Sequence, residues 1–267
     1  MNQTAVSLTT NLEHQLQEAV ELRNLAYAVI VAEHRRTFTR PEHLALFIFY
    51  RSLQTHEATE VLMRKGLVED GRVLVRVLVE HVVNCAYMLL VGDDKTATDF
   101  IKYPAYWKYK LLRDLREVDE SRFRRSVSVE LEEGIRKDYD ALHPRFKDRR
   151  NGEWCVDGQL HKRAAKVDES LGLRLGQDYV EFRWLVNSEW RFASSHVHGM
   201  ADTLLEQVSQ SDGVITVEQK YEPEEAATAL YSANFALALV VPLFDALLDG
   251  KYSSEISVRL SKFAKGV

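Results

Sequence analysis

One short segment of the sequence combines residue types that can cleave a phosphodiester. Arg191 is followed by His196 and His198 near the end of a predicted helix. A histidine transfers protons near neutral pH, and an arginine guanidinium binds a phosphate and stabilises its developing charge. Because RNA carries its own nucleophile, the 2′-hydroxyl, these groups are the minimum that RNA cleavage without a metal requires. Arg191 and His196 are therefore predicted catalytic residues.

The spacing of Arg191 and His196 leaves their convergence open. Five residues on a continuous α-helix correspond to about 140° around its axis, so the two side chains meet only if the helix frays or a second helix closes the gap. Gly199 favours a helix end here, because glycine permits the turn. In the alternative, structural interpretation, His196 caps carbonyl groups at the helix end and Arg191 forms an ion pair with Glu189 or a neighbouring residue.

A polar stripe follows one face of the third predicted helix at spacings of four, four and three. Its members are Arg76, Glu80, Asn84 and Tyr87. In the functional interpretation the stripe lines a cleft: Glu80 orients the catalytic histidine, while Arg51, Arg76, Asn84 and His198 bind substrate. In the structural interpretation Arg51, Arg76 and Glu80 form a satisfied network that fixes helix register, because a buried charge needs a partner.

The sequence predicts neither a metal nor a cofactor. His196 and His198, together with His81 or Glu80, could supply nitrogen and oxygen ligands, but no H-E-x-x-H motif and no paired E-x-x-H motif is present. A phosphate-binding P-loop, a G-x-G-x-x-G fingerprint, a G-x-S-x-G elbow and a kinase signature are also missing from the sequence. Nucleotide-dependent chemistry of the familiar kinds is therefore not expected.

Composition bounds the class of protein. Apolar residues make up 46% and charged residues 28% of the chain, which is ordinary for a folded protein. The net charge of −5 provides no global basic field that attracts nucleic acid or lipid. The longest apolar run, 235–244, is half the ~20 residues of a membrane-spanning helix. With only two cysteines and no signal-peptide pattern, we expect a cytoplasmic protein without a membrane segment.

Hydrophobic periodicity and helix start and stop signals predict an all-α fold, a multi-helix antiparallel bundle. We expect a single domain over residues 1–267 with its core at about 40–250, one short strand near 214–219, and an exposed basic loop at 143–158. The predicted helices end at about residue 35 for the first and then run over about 39–66, 68–91, 95–118, 121–142, 159–171, 178–195, 223–249 and 253–264.

Two stretches resemble a bacterial family of helical domains of unknown function. In residues 50–90 the family pattern of two arginines, an intervening glycine and a following glutamate corresponds to Arg51, Gly66, Arg76 and Glu80. The segment SSHVHG, residues 194–199, is similar to the late family signature and puts its histidine at His198. This resemblance implies a helical bundle and assigns no activity.

The spacing Arg191-FASS-His196 is similar to the R-x(4–6)-H motif of HEPN ribonucleases, helical proteins of toxin–antitoxin and antiphage systems. That resemblance implies RNA as substrate and a homodimer, since HEPN sites are usually assembled across two subunits. Our leading hypothesis is a metal-independent endoribonuclease. The competing hypothesis is a noncatalytic interaction or regulatory module, with a protein partner from the same operon, in which the polar residues are structural.

Overall fold

The structure, a computed structural model, describes residues 3–31, 36–150, 153–197, 208–211, 214–217 and 222–265. Its helices are α1 Gln3–Val31, α2 Arg40–Arg64, α3 Val68–Leu90, α4 Asp94–Val118, α5 Glu120–Ser126, α6 Val129–Phe146, α7 Leu160–Leu175, α8 Glu181–Leu185, α9 Arg191–Val197, α10 Pro223–Leu247 and α11 Ser253–Lys265. A π-helical turn, Val186–Trp190, joins α8 to α9. The predicted all-α class is confirmed.

One small hairpin accompanies the helices. Strand β1, Val208–Ser211, pairs antiparallel with β2, Val214–Val217, with Ser211 opposite Val214. The predicted strand near 214–219 is therefore confirmed over 214–217, and its last two residues lie outside the described part of the chain. The alternation of apolar and polar residues was a sufficient signal for this short strand.

Helix α3 is the centre of the bundle, since it packs against α2, α7, α9 and α10. Helices α3 and α10 are both long and apolar enough to cross a membrane, and 56% and 67% of their most apolar windows are buried inside the fold. A core helix and a membrane-spanning helix share this composition. The cytoplasmic location therefore stays a prediction.

Local signals determine the start of α2. Thr39 is extended, its hydroxyl accepts the N–H of Glu42, and the Glu42 carboxylate accepts the N–H of Thr39 at 2.7 Å. These reciprocal bonds form a capping box, with Pro41 in the first turn where its missing N–H costs nothing. The predicted start of this helix is confirmed.

Two predictions about the middle of the chain are wrong. The single helix predicted over 121–142 is divided at Val127, and Ser128 caps the start of α6. Helix α6 also continues through Pro144 to Phe146, whose fully buried ring packs against aromatic rings of α4. Burial of a large aromatic side chain outweighs the single hydrogen bond that proline removes. The segment 143–158 is thus not simply an exposed loop.

A buried polar network connects α1, α2 and α10. The fully buried His56 donates through Nε2 to Asn234 Oδ1 at 2.8 Å, and Asn234 Nδ2 donates to the backbone oxygen of Gln15 at 3.0 Å. Arg23 donates to His56 Nδ1 at 3.4 Å and to Glu60 at 2.6 Å. His56 and Asn234, the two fully buried polar side chains of this network, therefore both have hydrogen-bond partners, as buried polar groups require.

Candidate functional site

A cleft of about 550 Å³ lies between α3, the start of α7 and the π-helical turn. We call it the arginine cleft because guanidinium groups dominate its lining. Four arginines face only two carboxylates and one imidazole, so the formal charge of the lining is positive although the whole chain is acidic. The charged and titratable residues are Arg76, Arg150, Arg163, Arg191, Glu80, Glu153 and His161. Such a lining attracts anions.

Arg76 and Trp190 form one wall of the arginine cleft. The Arg76 guanidinium lies over the Trp190 ring, 5.0 Å from its centroid. Among the described residues, the buried Nε of Arg76 and the buried Nε1 of Trp190 have no hydrogen-bond partner. A buried donor without an acceptor costs about 1–3 kcal/mol. Arg76 and Trp190 both line the cleft, so this wall presents a guanidinium stacked on an aromatic ring.

The N-terminus of α7 forms a second wall. Its N-cap residue, Gln159, makes no side-chain capping bond, and Gln159, Leu160 and His161 all line the cleft. The first N–H groups of a helix and its dipole favour an anion at this end. One turn into the helix, Arg163 is held over the Trp154 ring at 5.1 Å, and it donates to the backbone oxygen of Gly158.

The π-helical turn and Asp168 position the third wall. The turn Val186–Trp190 adds a residue to the helical repeat, and it therefore rotates Arg191 about the axis relative to α8. Asp168, buried in α7, accepts the backbone N–H groups of Phe182 and Arg183 at 3.0 and 2.9 Å. These bonds attach the start of α8 to α7. Because α8 continues through the π-helical turn to Arg191, Asp168 helps to hold the segment that presents Arg191.

The structure brings together three predicted site residues and separates two others. Arg76, Glu80 and Arg191 line the same cleft. Arg51 does not: it is exposed on α2 and donates to Gln54. Asn84 is buried outside the cleft lining, and its Oδ1 lacks a hydrogen-bond partner in the described part of the chain. The predicted network of Arg51, Arg76 and Glu80 is therefore wrong.

The structure does not describe the side chains of the two predicted histidines, His196 and His198. His196 belongs to α9, but its side chain is outside the described residues, and His198 lies outside them altogether. Glu189, one of the partners that the structural alternative gave to Arg191, instead accepts the hydroxyl of Ser232 at 2.5 Å and lines a different cavity. In the described residues, no group of three or more histidines, cysteines or acidic residues could hold a metal ion.

Several cleft residues were not predicted from the sequence. Arg150 belongs to the stretch interpreted as an exposed basic loop, while His161 and Arg163 start a helix without any motif. Trp154 of the same stretch is buried and packs edge-on against Tyr87 of the polar stripe. The basic composition of this stretch was the available signal. The sequence alone does not show that this stretch contacts the polar stripe of α3, so the two could not be assigned to one site.

The comparison with protein families decides the family. Residues 42–215, about two thirds of the chain, match a family of unknown function, DUF5677. The chain belongs to DUF5677. The match confirms the predicted domain of unknown function, and it contains the whole lining of the arginine cleft. Neither curated proteins nor solved structures give a match.

Proposed function

We propose that this DUF5677 protein is a metal-independent ribonuclease of toxin or antiphage-defence type that acts at the arginine cleft. The observation that carries the proposal is the shared cleft of Arg76, Glu80 and Arg191. The positively charged lining and the start of α7, which has no side-chain cap, add further groups that attract phosphate. The R-x(4–6)-H spacing of Arg191 and His196 supports RNA as the ligand.

In the proposed reaction the protein stabilises charge and moves protons, while RNA supplies the nucleophile. Arg191 and Arg76 bind the non-bridging oxygens of the scissile phosphate and stabilise the charge that develops on them. His196 is the general base that takes the proton of the 2′-hydroxyl, and Glu80 is its orienting partner. This chemistry needs no metal ion.

A noncatalytic interaction module is the second candidate, and one contact favours it. The stacking of Arg76 on Trp190 is intramolecular, and such cation–π pairs also occur as purely structural contacts. In that case the protein cleaves no RNA, and Arg76→Ala lowers stability and weakens binding of a protein partner from the same operon. His196→Ala would then leave both properties near wild type.

The test measures cleavage of fluorescent RNA by purified protein in excess EDTA. We expect cleavage by the wild type, and a loss of about 10- to 100-fold in kcat/KM for Arg191→Ala, because a charged hydrogen bond contributes about 1.5–3 kcal/mol. His196→Ala should abolish measurable cleavage. The matched control is Arg125→Ala, which removes an exposed arginine of α5 outside the cleft lining.

Two results would end the ribonuclease proposal: absence of cleavage by the wild type, or full activity of His196→Ala. An equal loss in Arg191→Ala and Arg125→Ala would show instead that only overall charge matters. The proposed homodimer is tested separately by light scattering of the wild-type protein.

A further inference from the structure

His161 is an unassigned proton-transfer group in the arginine cleft. It occupies the second position of α7, beside the uncapped helix start, and it lines the cleft together with Arg76 and Arg191. Within the described part of the chain, no hydrogen bond or ion pair holds its exposed imidazole. An exposed imidazole that lines the cleft without such a bond is available to act on a ligand.

The position of His161 follows from where a phosphate would bind. The dipole at the start of α7, where no side chain caps the helix, and the surrounding guanidinium groups both attract a phosphate to this end of the helix. His161 lines the same cleft as these groups. His161 belongs to α7 and Arg191 to α9, so the two residues line different walls of the cleft.

RNA cleavage by the 2′-hydroxyl needs two proton transfers. A base takes the proton of the 2′-oxygen as that oxygen bonds to phosphorus, and an acid protonates the 5′-oxygen as its bond to phosphorus breaks. The products are a 2′,3′-cyclic phosphate and a 5′-hydroxyl, and no co-reactant is consumed. His196 serves as the base in the proposed function, so the acid is still unassigned.

We infer that His161 is the general acid that protonates the leaving 5′-oxygen of RNA in the arginine cleft. This inference rests on the proposed ribonuclease function. Arg76 and Arg191 bind the phosphate, and the His161 imidazolium transfers its proton to the departing oxygen. The neutral imidazole is then reprotonated from solvent before the next turnover.

The test compares two substrates whose leaving groups differ in whether they must be protonated by an acid. One is a short RNA, whose 5′-oxygen must be protonated as it leaves. The other is uridine 3′-(4-nitrophenyl phosphate), whose nitrophenolate leaves without a proton. His161→Gln should lower kcat/KM for RNA about 100-fold or more, the usual contribution of acid catalysis, and change that of the nitrophenyl ester less than about fivefold.

Two control variants complete the experiment. Lys162→Ala changes an exposed residue of the same helix turn outside the cleft lining, and it should leave both substrates near wild-type rates. Arg191→Ala should slow both substrates, because both contain the phosphate. His161 is exposed, so its replacement leaves the packed core intact.

The outcomes separate the two proposals. If the wild type cleaves neither substrate, the ribonuclease proposal fails, and the role of His161 fails with it. If the wild type cleaves both and His161→Gln is fully active on RNA, the ribonuclease stands and the assignment of His161 is overturned. An equal loss on both substrates also overturns it, because that result indicates a role in binding or structure.

Discussion

Mild acid should destabilise this protein through the buried network around His56. Asn234 uses its amide N–H groups to bind Gln15, so its oxygen faces His56 and accepts the Nε2 proton. Nδ1 then accepts from Arg23. The site therefore fits the neutral imidazole, because a proton on Nδ1 would point at the N–H groups and positive charge of Arg23.

The size of the effect follows from the pKa of His56. Burial lowers this pKa most; the Arg23 charge lowers it further, while the hydrogen bond to Asn234 and the charge of Glu60 act against them, and the pKa comes to about 4. The ordinary value of 6.5 applies to the unfolded chain. Each unit of difference in pKa is worth about 1.4 kcal/mol. Acidification from neutral pH to below pH 4 therefore lowers the contribution of His56 to the free energy of unfolding by about 3 kcal/mol.

The direction of the pH dependence of stability follows from which state, folded or unfolded, takes up the proton at the higher pH. Well above pH 6.5 His56 is neutral in both states, and its contribution to stability is fully present. As the pH falls towards 4, the unfolded chain takes up a proton that the folded chain does not, and the contribution is progressively lost. Between pH 7 and pH 5 the expected loss from this one side chain is about 2 kcal/mol.

The assay is urea unfolding of wild type and His56→Gln at several pH values between 5 and 7.5. Glutamine can still donate to Asn234 but does not titrate, so the stability difference between the two proteins isolates His56 from other titrating groups. We expect this difference to shrink by about 2 kcal/mol from pH 7 to pH 5. The ring resonances of His56 should also stay constant over this range in NMR spectra.

A stability difference that is independent of pH would refute this reasoning. So would a His56 ring that titrates near its ordinary value in the folded protein. Either result would mean that the imidazole is accessible to protons and that the contacts with Arg23 and Asn234 do not select its neutral form.

Three further predictions concern packing and positioning, and urea unfolding measures each of them. Phe244→Ala should cost about 3–5 kcal/mol, because the fully buried ring stacks on Phe49 with centroids 4.1 Å apart. Asp168→Ala should cost about 1–3 kcal/mol and also weaken the proposed RNA binding, because it releases the backbone N–H groups of Phe182 and Arg183 at the start of α8. Tyr87→Phe should cost about 1 kcal/mol, because it removes the hydrogen bond to Asp157.

Controls accompany these variants. Phe244→Leu should cost less than the alanine variant, and equal losses would argue against a packing effect. RNA binding by Asp168→Ala at the wild-type level would contradict its role in holding Arg191. For Tyr87→Phe, unchanged stability would mean that water replaces the lost hydroxyl as the hydrogen-bond donor to the Asp157 carboxylate.

The sequence by itself determined the features that depend on neighbours along the chain. The capping residues Thr39 and Glu42 fixed where α2 begins, because their bonds reach only three residues. Periodicity placed Arg76 and Glu80 on one face of α3, since residues four apart share a face of any α-helix. The helical class and the short strand were predictable for the same local reasons.

Only the tertiary structure decided what these faces meet. The start of α7 brings His161 and Arg163 to the polar face of α3, and the π-helical turn presents Arg191 to the same cleft. His56 and Asn234 are separated by 178 positions, so no local pattern could pair them. Packing of the apolar faces brings these distant segments together, and the polar residues beside those faces become neighbours as a consequence.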